Sequence, residues 1–232
     1  MNSKLKSRIK KFFIYFLLSK KIFFKPKKNR LLIYDEMRLA SFKEVIGKNN
    51  AEILSVRGEK LNLYIIFNLI INNFSYIFDL NRLKFEYILL YIKLVDPKLV
   101  ITYCDNDPQF YKLKKFFYHI KFISVQNGYR FYKSDLFSTL KKKEIKNLSC
   151  DYIFCFNEFI AKFYEKFINC KTVVIGSVKN NSVSKSNFNK DRHCLFVSSY
   201  GVSKLKIEKK ILNIINNFCK ENSLQLKILS RR

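Results

Sequence analysis

The sequence predicts an α/β protein with a doubly wound, mainly parallel sheet. From Leu31 onward, short β-branched and aromatic runs alternate with longer helical runs. Each short run ends in polar residues, and this alternation favours strands joined by helical crossovers. The six predicted strands are Leu31–Tyr34, Glu52–Val56, Leu99–Tyr103, Phe122–Val125, Asp151–Phe156 and Thr172–Ile175.

The segments between these strands read as helices. Leu61–Asn72 is apolar on all sides, which predicts a buried helix. Arg82–Val95 is amphipathic and ends before Asp96-Pro97, because the residue before a proline disfavours the α region. Pro108 suits a first helical turn. The predicted helices are Phe42–Lys48, Leu61–Asn72, Arg82–Val95, Gln109–His119 and Phe159–Ile168, with Leu136–Lys146 a basic helix or loop.

Composition divides the chain into four segments. Residues 1–30 are a basic, predicted helical segment, and 31–178 form the Rossmann-like domain. Residues 179–192 are rich in Ser and Asn without periodicity, which predicts a linker. Residues 193–232 contain a strand, a helix and a strand, Cys194–Ser198, Lys204–Glu221 and Leu224–Leu229. Because such a piece cannot close a core alone, we expect the incomplete start of a second α/β domain.

The N-terminal segment raises the question of membranes. Its longest apolar run, Phe12–Leu18, has seven residues, which is too short to span a bilayer. Basic residues interleaved with aromatic ones suit a helix that lies on an anionic membrane surface. An ordinary first helix with a solvated basic face explains the same pattern, and both interpretations stay open.

The charge is strongly positive, with 45 Lys and Arg against 18 Asp and Glu and a net charge of +27. Such a balance suggests nucleic acid or an anionic membrane. However, Lys, Asn, Ile, Phe and Tyr are all abundant, as expected when A/T-rich codons set the composition. A nucleic-acid site needs a concentrated basic stripe, so nucleic acid is not the favoured partner.

The cysteines and histidines do not predict a metal site. None of the six cysteines forms a C-x-x-C pair, and the chain has only two histidines. We therefore expect no metal, and reduced thiols in a cytoplasmic protein. The sequence also lacks G-x-G-x-x-G, G-x-x-x-x-G-K-[ST], H-E-x-x-H and G-x-S-x-G motifs, the commonest dinucleotide, nucleotide, metalloprotease and serine hydrolase signatures.

Two polar loops follow neighbouring predicted strands, Cys104–Pro108 and Gln126–Arg130. The carboxyl ends of parallel strands border the crevice where ligands bind. Asp105 is the candidate base for a hydroxyl nucleophile and Asp107 its supporting carboxylate, since a second carboxylate raises the pKa of the first. Alternatively, Asp107 is the N-cap of the next helix and Asp105 caps the turn.

Other candidate contacts lie in three loops. The amides of Asn106, Gln126 and Asn127 can bind sugar hydroxyls, while Gly128 permits positive φ, although Asn-Gly is also a common tight turn. Arg57 and Glu59 either meet a phosphate or hydroxyl in the crevice or form a turn with a surface ion pair. Gly176 and Ser177 would border a cleft between two domains. The predicted substrate-binding residues are Asn106, Gln126, Asn127, Gly128, Arg57, Glu59, Gly176 and Ser177.

An ordered set of segments resembles one family. LVITYCDNDPQFYKL, ISVQNGYR, DYIFCFNE and VVIGSVKNN, preceded by ILSVRGEKLN, look like the bacterial surface carbohydrate biosynthesis proteins, glycosyltransferases of GT-B-like architecture. The resemblance covers roughly Leu31 to Asn181. It implies two Rossmann-like domains that face each other across a cleft, with the acceptor on the N-terminal domain and the sugar nucleotide on the C-terminal one.

The resemblance implies a cleft role for the residues that match its motifs, Asp105, Asn106, Asp107, Gln126, Asn127 and Gly128. It also predicts a truncated chain, because a full donor domain would need on the order of 100 further residues after Arg232. We therefore expect the N-terminal part of a glycosyltransferase, inactive alone or completed by a second chain.

The expected function is transfer of a sugar from a nucleotide-sugar to a glycan acceptor in lipopolysaccharide or capsule biosynthesis. The nucleotide-sugar is a substrate, and no cofactor is expected. The expected location is the cytoplasm, with peripheral contact to the inner face of the membrane. The alternatives are a non-catalytic remnant or interaction module of the same fold, and a basic nucleic-acid-binding protein.

Overall fold

A computed structural model describes residues 17–37, 50–75, 79–128, 130, 140, 145–178, 193–197 and 205–229. The chain divides into two compact units, Met1–Ser182 and Val183–Arg232, which are described separately. The predicted helix Phe42–Lys48, the predicted linker 179–192 and most of Leu136–Lys146 lie outside the described residues.

In chain order the described strands of the first unit are β1 (Lys20–Ile22), β2 (Leu31–Tyr34), β3 (Glu52–Leu54), β4 (Lys60–Asn62), β5 (Leu99–Thr102), β6 (Lys121–Val125), β7 (Ser149–Cys155) and β8 (Asn169–Val174). Six of them form a parallel sheet with the order β3-β2-β5-β6-β7-β8. Helices flank this sheet, so the predicted α/β Rossmann-like class is confirmed.

The strand order reverses beside β2. The chain passes from β2 to β3 on one side and later to β5 on the other, and Tyr34 lies opposite Thr102 in the register. In open α/β sheets, such a switch point opens a crevice at the carboxyl ends of the two strands. Here the loops after β2 and β5 border that crevice.

Polar side chains begin the four α-helices that the structure describes in this unit. These are α1 (Leu63–Asn72), α2 (Leu80–Val95), α3 (Pro108–Leu113) and α4 (Glu158–Glu165). Each N-cap side chain accepts a hydrogen bond from a backbone N–H of the first turn, which otherwise has no partner inside the helix. The four N-cap residues are Asn62, Asp79, Asp107 and Asn157.

The main core lies between the sheet and these helices. Phe110 is central, because its ring packs edge-on against the rings of Tyr34, Tyr111 and Phe122. Such contacts add to the stability gained from buried aromatic area. Ile33, Tyr103 and Val125 form a smaller buried cluster.

The described part of the N-terminal region begins at residue 17. Residues 17 and 18 are helical, and strand β1 follows them and pairs in parallel with β4. Helix α1, predicted to be buried on all sides, buries Leu63, Ile65 and Leu69 but exposes Phe67 and Ile71. The apolar pattern correctly predicted a helix, but it did not predict that two of its large apolar side chains are exposed.

The second unit contains β9 (His193–Val197), α5 (Leu205–Glu221) and β10 (Gln225–Leu229), with β9 and β10 paired in parallel. These match the predicted strand, helix and strand of a second α/β element. Cys219 of α5 is buried, whereas Leu195 and Val197 of β9 are exposed.

One carboxylate connects the amino-terminal halves of β6 and β7. Asp151 accepts hydrogen bonds from the Phe122 backbone N–H at 2.8 Å and from Lys114 Nζ, also at 2.8 Å. Burial alone would raise the pKa of Asp151, but these hydrogen bonds and the charge of Lys114 outweigh it and lower the pKa.

We expect Asp151→Asn to lower the free energy of unfolding at pH 7 by about 1–2 kcal/mol, since it removes a charged acceptor. Because the folded-state pKa lies below the unfolded value, the contribution is complete above about pH 4 and is lost as the pH falls through the folded pKa. Urea unfolding at pH 7 and in acid measures it. A stability difference between the wild type and Asp151→Asn that is the same in acid as at pH 7 would contradict this explanation. Glu86→Gln is the control.

Candidate functional site

The carboxyl edge of the sheet, defined as the loops that follow β2, β3, β5 and β6, brings distant polar residues together. Asp35 and Glu36 follow β2, and Arg57 lies after β3. Cys104–Asp107 follow β5 and Gln126–Gly128 follow β6. The sequence predicted that the last two loops are neighbours, and pairing of β5 with β6 accounts for this.

Asp105 is completely buried, and both of its carboxylate oxygens are hydrogen-bonded. Arg130 donates from Nε to Oδ2 at 2.7 Å and from a terminal guanidinium nitrogen to Oδ1. The backbone N–H of Asn127 donates to Oδ1 at 3.1 Å, and the Tyr164 hydroxyl donates to Oδ2. Asp105 thus joins the loops after β5 and β6 to helix α4.

The negative charge of Asp105 shifts the pKa values of its two side-chain donors, Arg130 and Tyr164. Burial alone would lower the pKa of Arg130, but the hydrogen bond and the charge of Asp105 raise it. Burial raises the pKa of Tyr164, and the Asp105 charge raises it further, so the hydroxyl stays a donor. A buried ion pair is stable only when its geometry is good and its other lone pairs are satisfied, as they are here.

This geometry favours a positioning role for Asp105. A general base must lie within hydrogen-bond reach of the proton that it removes. The Asp105 carboxylate has 0% exposed area and four protein donors, so it faces the interior.

Gln126 is also buried and holds the loop after β6 in place. Its Nε2 donates to the Gly128 carbonyl at 2.7 Å, and its Oε1 accepts from the Phe156 N–H at 2.8 Å. Gly128 is not in the left-handed region, and a Cβ there would meet no atom within 4 Å. Gly128 therefore does not adopt the positive φ that its sequence suggested. Asn127, in the same loop, is half-buried.

Asp107 is only half-buried and lies at the switch point. Its Oδ1 accepts from the Gln109 N–H at 2.9 Å, which confirms the predicted N-cap. Its Oδ2 accepts from the Tyr34 hydroxyl, also at 2.9 Å. Burial, and then the charge of Asp107, raise the pKa of Tyr34 well above its ordinary value, so Tyr34 remains a hydrogen-bond donor.

Arg57 connects the loops after β2, β3 and β5. Its Nε donates to Asp35 Oδ2 at 2.7 Å, and its terminal nitrogen lies 2.9 Å from the Cys104 sulfur. Cys104 Sγ in turn donates to Asn106 Oδ1 at 3.3 Å. Burial raises the pKa of Cys104 to about 11, so this residue remains a thiol at neutral pH rather than a nucleophilic thiolate.

Asp35 adopts a strained backbone conformation, with φ of 77°. Non-glycine residues rarely occupy this region, and such strain clusters at ligand-binding sites. Its Oδ1 accepts from the Met37 N–H at 3.0 Å, which closes the turn after β2. The buried carboxylate is thereby aimed at Arg57.

Among the described residues, no salt bridge joins the Glu59 carboxylate to the Arg57 guanidinium. Glu59 Oε2 accepts from the Arg57 backbone N–H at 3.2 Å, whereas the guanidinium pairs with Asp35. Nearby, Glu36 accepts from Lys60 Nζ at 2.6 Å and from Ser55 Oγ at 2.7 Å. The hydrogen bond from Lys60 chiefly lowers the pKa of Glu36.

Gly176 and Ser177 follow β8, the outermost strand on the far side of β7. Gly176 has φ of 74°, which explains the glycine at this turn. These residues belong to the end of the first unit and lie three strands along the sheet from β5.

A cavity of about 420 Å³ opens beside Arg57 in the first unit. Its walls are mainly apolar and come from the loop after β3 and from helices α1 and α2. Arg57 and Lys84 are the two cationic side chains that line it. The lining residues are Ser55, Val56, Arg57, Gly58, Leu61, Ile66, Leu80, Leu83, Lys84, Tyr87 and Ile88.

Sequence reasoning did not single out Arg130, Tyr164, Tyr34 or Asp35 as site residues. Arg130 stands in the polar loop after β6, so a charged residue at a strand end was the available signal. Tyr164 lies inside an amphipathic helix, and its pattern indicates only packing. Among the described residues, no group of three or more His, Cys, Asp or Glu side chains could hold a metal ion.

Residues 123–229 match the model of a family described as "putative O-antigen biosynthesis protein". The match begins in β6 and ends with β10, and it covers somewhat less than half of the chain. It supports a role in surface polysaccharide biosynthesis. Comparisons with curated proteins and with solved structures found no match. The matched region contains Gln126, Arg130 and Tyr164 of the carboxyl edge.

The buried ion pair gives a stability prediction. Arg130→Met leaves the buried Asp105 charge without its countercharge, and we expect it to lower the free energy of unfolding by about 3–5 kcal/mol. Adding Asp105→Asn removes that charge, so the double variant should be more stable than Arg130→Met alone. Urea unfolding of the set measures both effects, with the exposed Arg30→Met as control. Additive losses in the double variant would contradict the proposed coupling.

Proposed function

We propose that this protein is a glycosyltransferase of the GT-B type that acts in surface polysaccharide biosynthesis. It would transfer a sugar from a nucleotide-sugar to a hydroxyl of a glycan acceptor bound at the carboxyl edge. The family match supports the biosynthetic role. The observation that carries the chemical proposal is the half-buried carboxylate of Asp107 at the topological switch point.

Asp107 is the better candidate base of the two aspartates. Its Oδ2 accepts one hydrogen bond from Tyr34, and a carboxylate oxygen can accept a second from an acceptor hydroxyl. Asp105, two residues earlier, has no exposed area. In this proposal Asp105 positions the loop, and Asp107 removes the proton.

In the proposed transfer step, Asp107 acts as the base. The acceptor hydroxyl gives its proton to Asp107 while its oxygen forms a bond to the anomeric carbon of the donor sugar. The bond between that carbon and the phosphate oxygen breaks, and the nucleoside diphosphate leaves with the electron pair. The Tyr34 hydroxyl keeps donating to Asp107, which holds the carboxylate in one orientation.

Amide groups around Asp107 are suited to sugar hydroxyls. Asn106 and Asn127 are half-buried at the same edge. The Oε1 atom of Gln109 is buried and has no hydrogen-bond partner among the described residues. Gln109 also donates its backbone N–H to Asp107, so the two groups are close.

Arg57 is the candidate contact for the diphosphate of the donor. Its side chain remains 44% exposed although it pairs with Asp35. Burial alone would lower the pKa of Arg57, but the hydrogen bond to Asp35 and the Asp35 charge raise it, so it stays charged. A fixed cation of this kind stabilises charge that develops on a leaving phosphate.

The variant Asp107→Asn tests the base. Asn is also a good N-cap, so the helix start should be retained while the basic oxygen is lost. We expect surface polysaccharide production by a gene-deletion strain to fail when it is complemented with this variant. In a purified assay with a panel of UDP-, GDP- and dTDP-sugars, we expect turnover to fall by about 100-fold or more.

Asp79→Asn is the matched control, because Asp79 is the N-cap aspartate of α2 and lies outside the carboxyl edge. It should retain full production. Wild-type levels of polysaccharide with Asp107→Asn, at equal protein abundance, would reject Asp107 as the base. That result would favour a non-catalytic module of the same fold.

A further inference from the structure

Large apolar side chains are exposed along residues 17–28, LLSKKIFFKPKK. Leu17, Leu18, Phe23 and Phe24 all lie mostly in solvent, with exposed fractions of 72%, 81%, 64% and 82%. Single exposed apolar residues are ordinary, but four of them within eight residues of chain are not.

This segment is fixed to the body of the first unit. Strand β1 pairs with β4, so that Lys20 lies opposite Lys60 and Ile22 opposite Asn62. Beyond the strand, Asn62 Nδ2 donates to the Phe24 carbonyl at 2.9 Å. The backbone that carries Phe23 and Phe24 is therefore held by hydrogen bonds beside the start of α1.

Helix α1 also exposes large apolar side chains. It begins directly after Asn62, and its Phe67 and Ile71 are 59% and 82% exposed. Residues four positions apart lie on one face of a helix, so these two side chains form a stripe. We name Leu17, Leu18, Phe23, Phe24, Phe67 and Ile71 the apolar surface.

The charged side chains within residues 17–28 are all positive, and at the end of this segment Lys28 Nζ lies 3.8 Å from Asp96 Oδ2. Residues 17–28 contain five lysines and no acidic residue. Lys20, Lys25 and Lys27 are exposed beside the phenylalanines. Lysine side chains can extend their ammonium groups toward phosphates while their stems lie along apolar material.

We propose that the apolar surface docks on an anionic lipid bilayer. Aromatic and aliphatic side chains would enter the headgroup region, and the lysines would contact the lipid phosphates. The exposed lysines that flank the aromatic pair match the negative charge of the lipid phosphates. Among the described residues, no helix is both long enough and apolar enough to cross a bilayer.

The test is flotation of the full chain with vesicles. Vesicles of phosphatidylglycerol mixed into phosphatidylcholine should carry the protein upward, and vesicles of phosphatidylcholine alone should carry much less. Phe24→Ser keeps the charge and should reduce the partition coefficient by about ten-fold, because one buried aromatic side chain is lost. Phe23→Ser combined with Phe24→Ser should reduce it further.

Tyr118→Ser is the matched control. Tyr118 is 86% exposed and precedes β6, on the end of the sheet opposite the carboxyl edge. This variant should float as the wild type does. The net charge of +27 could adsorb the chain to any anionic surface, so binding that is equally insensitive to Phe24→Ser and Tyr118→Ser would overturn the proposal.

A second readout separates lipid from a second copy of the chain. Light scattering without vesicles should give the same mass for the wild type and for Phe24→Ser. A larger wild-type mass that Phe24→Ser reduces, together with no flotation, would assign the surface to contact between copies and overturn lipid docking. This inference does not depend on the proposed transfer reaction, since flotation is measured without substrate.

Discussion

The arrangement of the carboxyl edge depends on the ion pair between Asp105 and Arg130. Asp105 follows β5 and Arg130 follows β6, so their pairing fixes the distance between the two loops. The Tyr164 hydroxyl adds a bond from α4 to the same carboxylate. A buried charge that lost these donors would be strongly destabilising, so the three elements must stay together.

This constraint explains why two aspartates only two residues apart differ in environment. Parallel strands end side by side, and the chain turns sharply after β5 before Pro108 begins α3. The turn directs Asp105 inward, toward Arg130, and leaves Asp107 at the crevice with Tyr34. In the proposed reaction, the buried carboxylate supplies rigidity while the half-buried one meets the substrate. A similar ion pair, between Arg57 and Asp35, connects the loops after β3 and β2.

Local sequence signals predicted the strands and the helix caps. Asp107 before Pro108 was readable as an N-cap, because capping needs only a polar residue at a helix start. The partners of Asp105 were not readable: Arg130 and Tyr164 lie 25 and 59 residues away, and no periodicity links them. The exposure of Phe67 and Ile71 on α1 was also not predicted, since an apolar pattern alone does not show which side chains are buried.

The most direct test of the central claim is native-state hydrogen exchange of the Asn127 amide. This N–H donates to Asp105 Oδ1 at 3.1 Å, so its exchange reports on the carboxylate itself. We predict protection close to that of the Val125 amide in β6, because the ion pair must open before the amide can exchange. Exchange as fast as that of an unprotected peptide amide would show that Asp105 is not held in the interior, and would contradict the account.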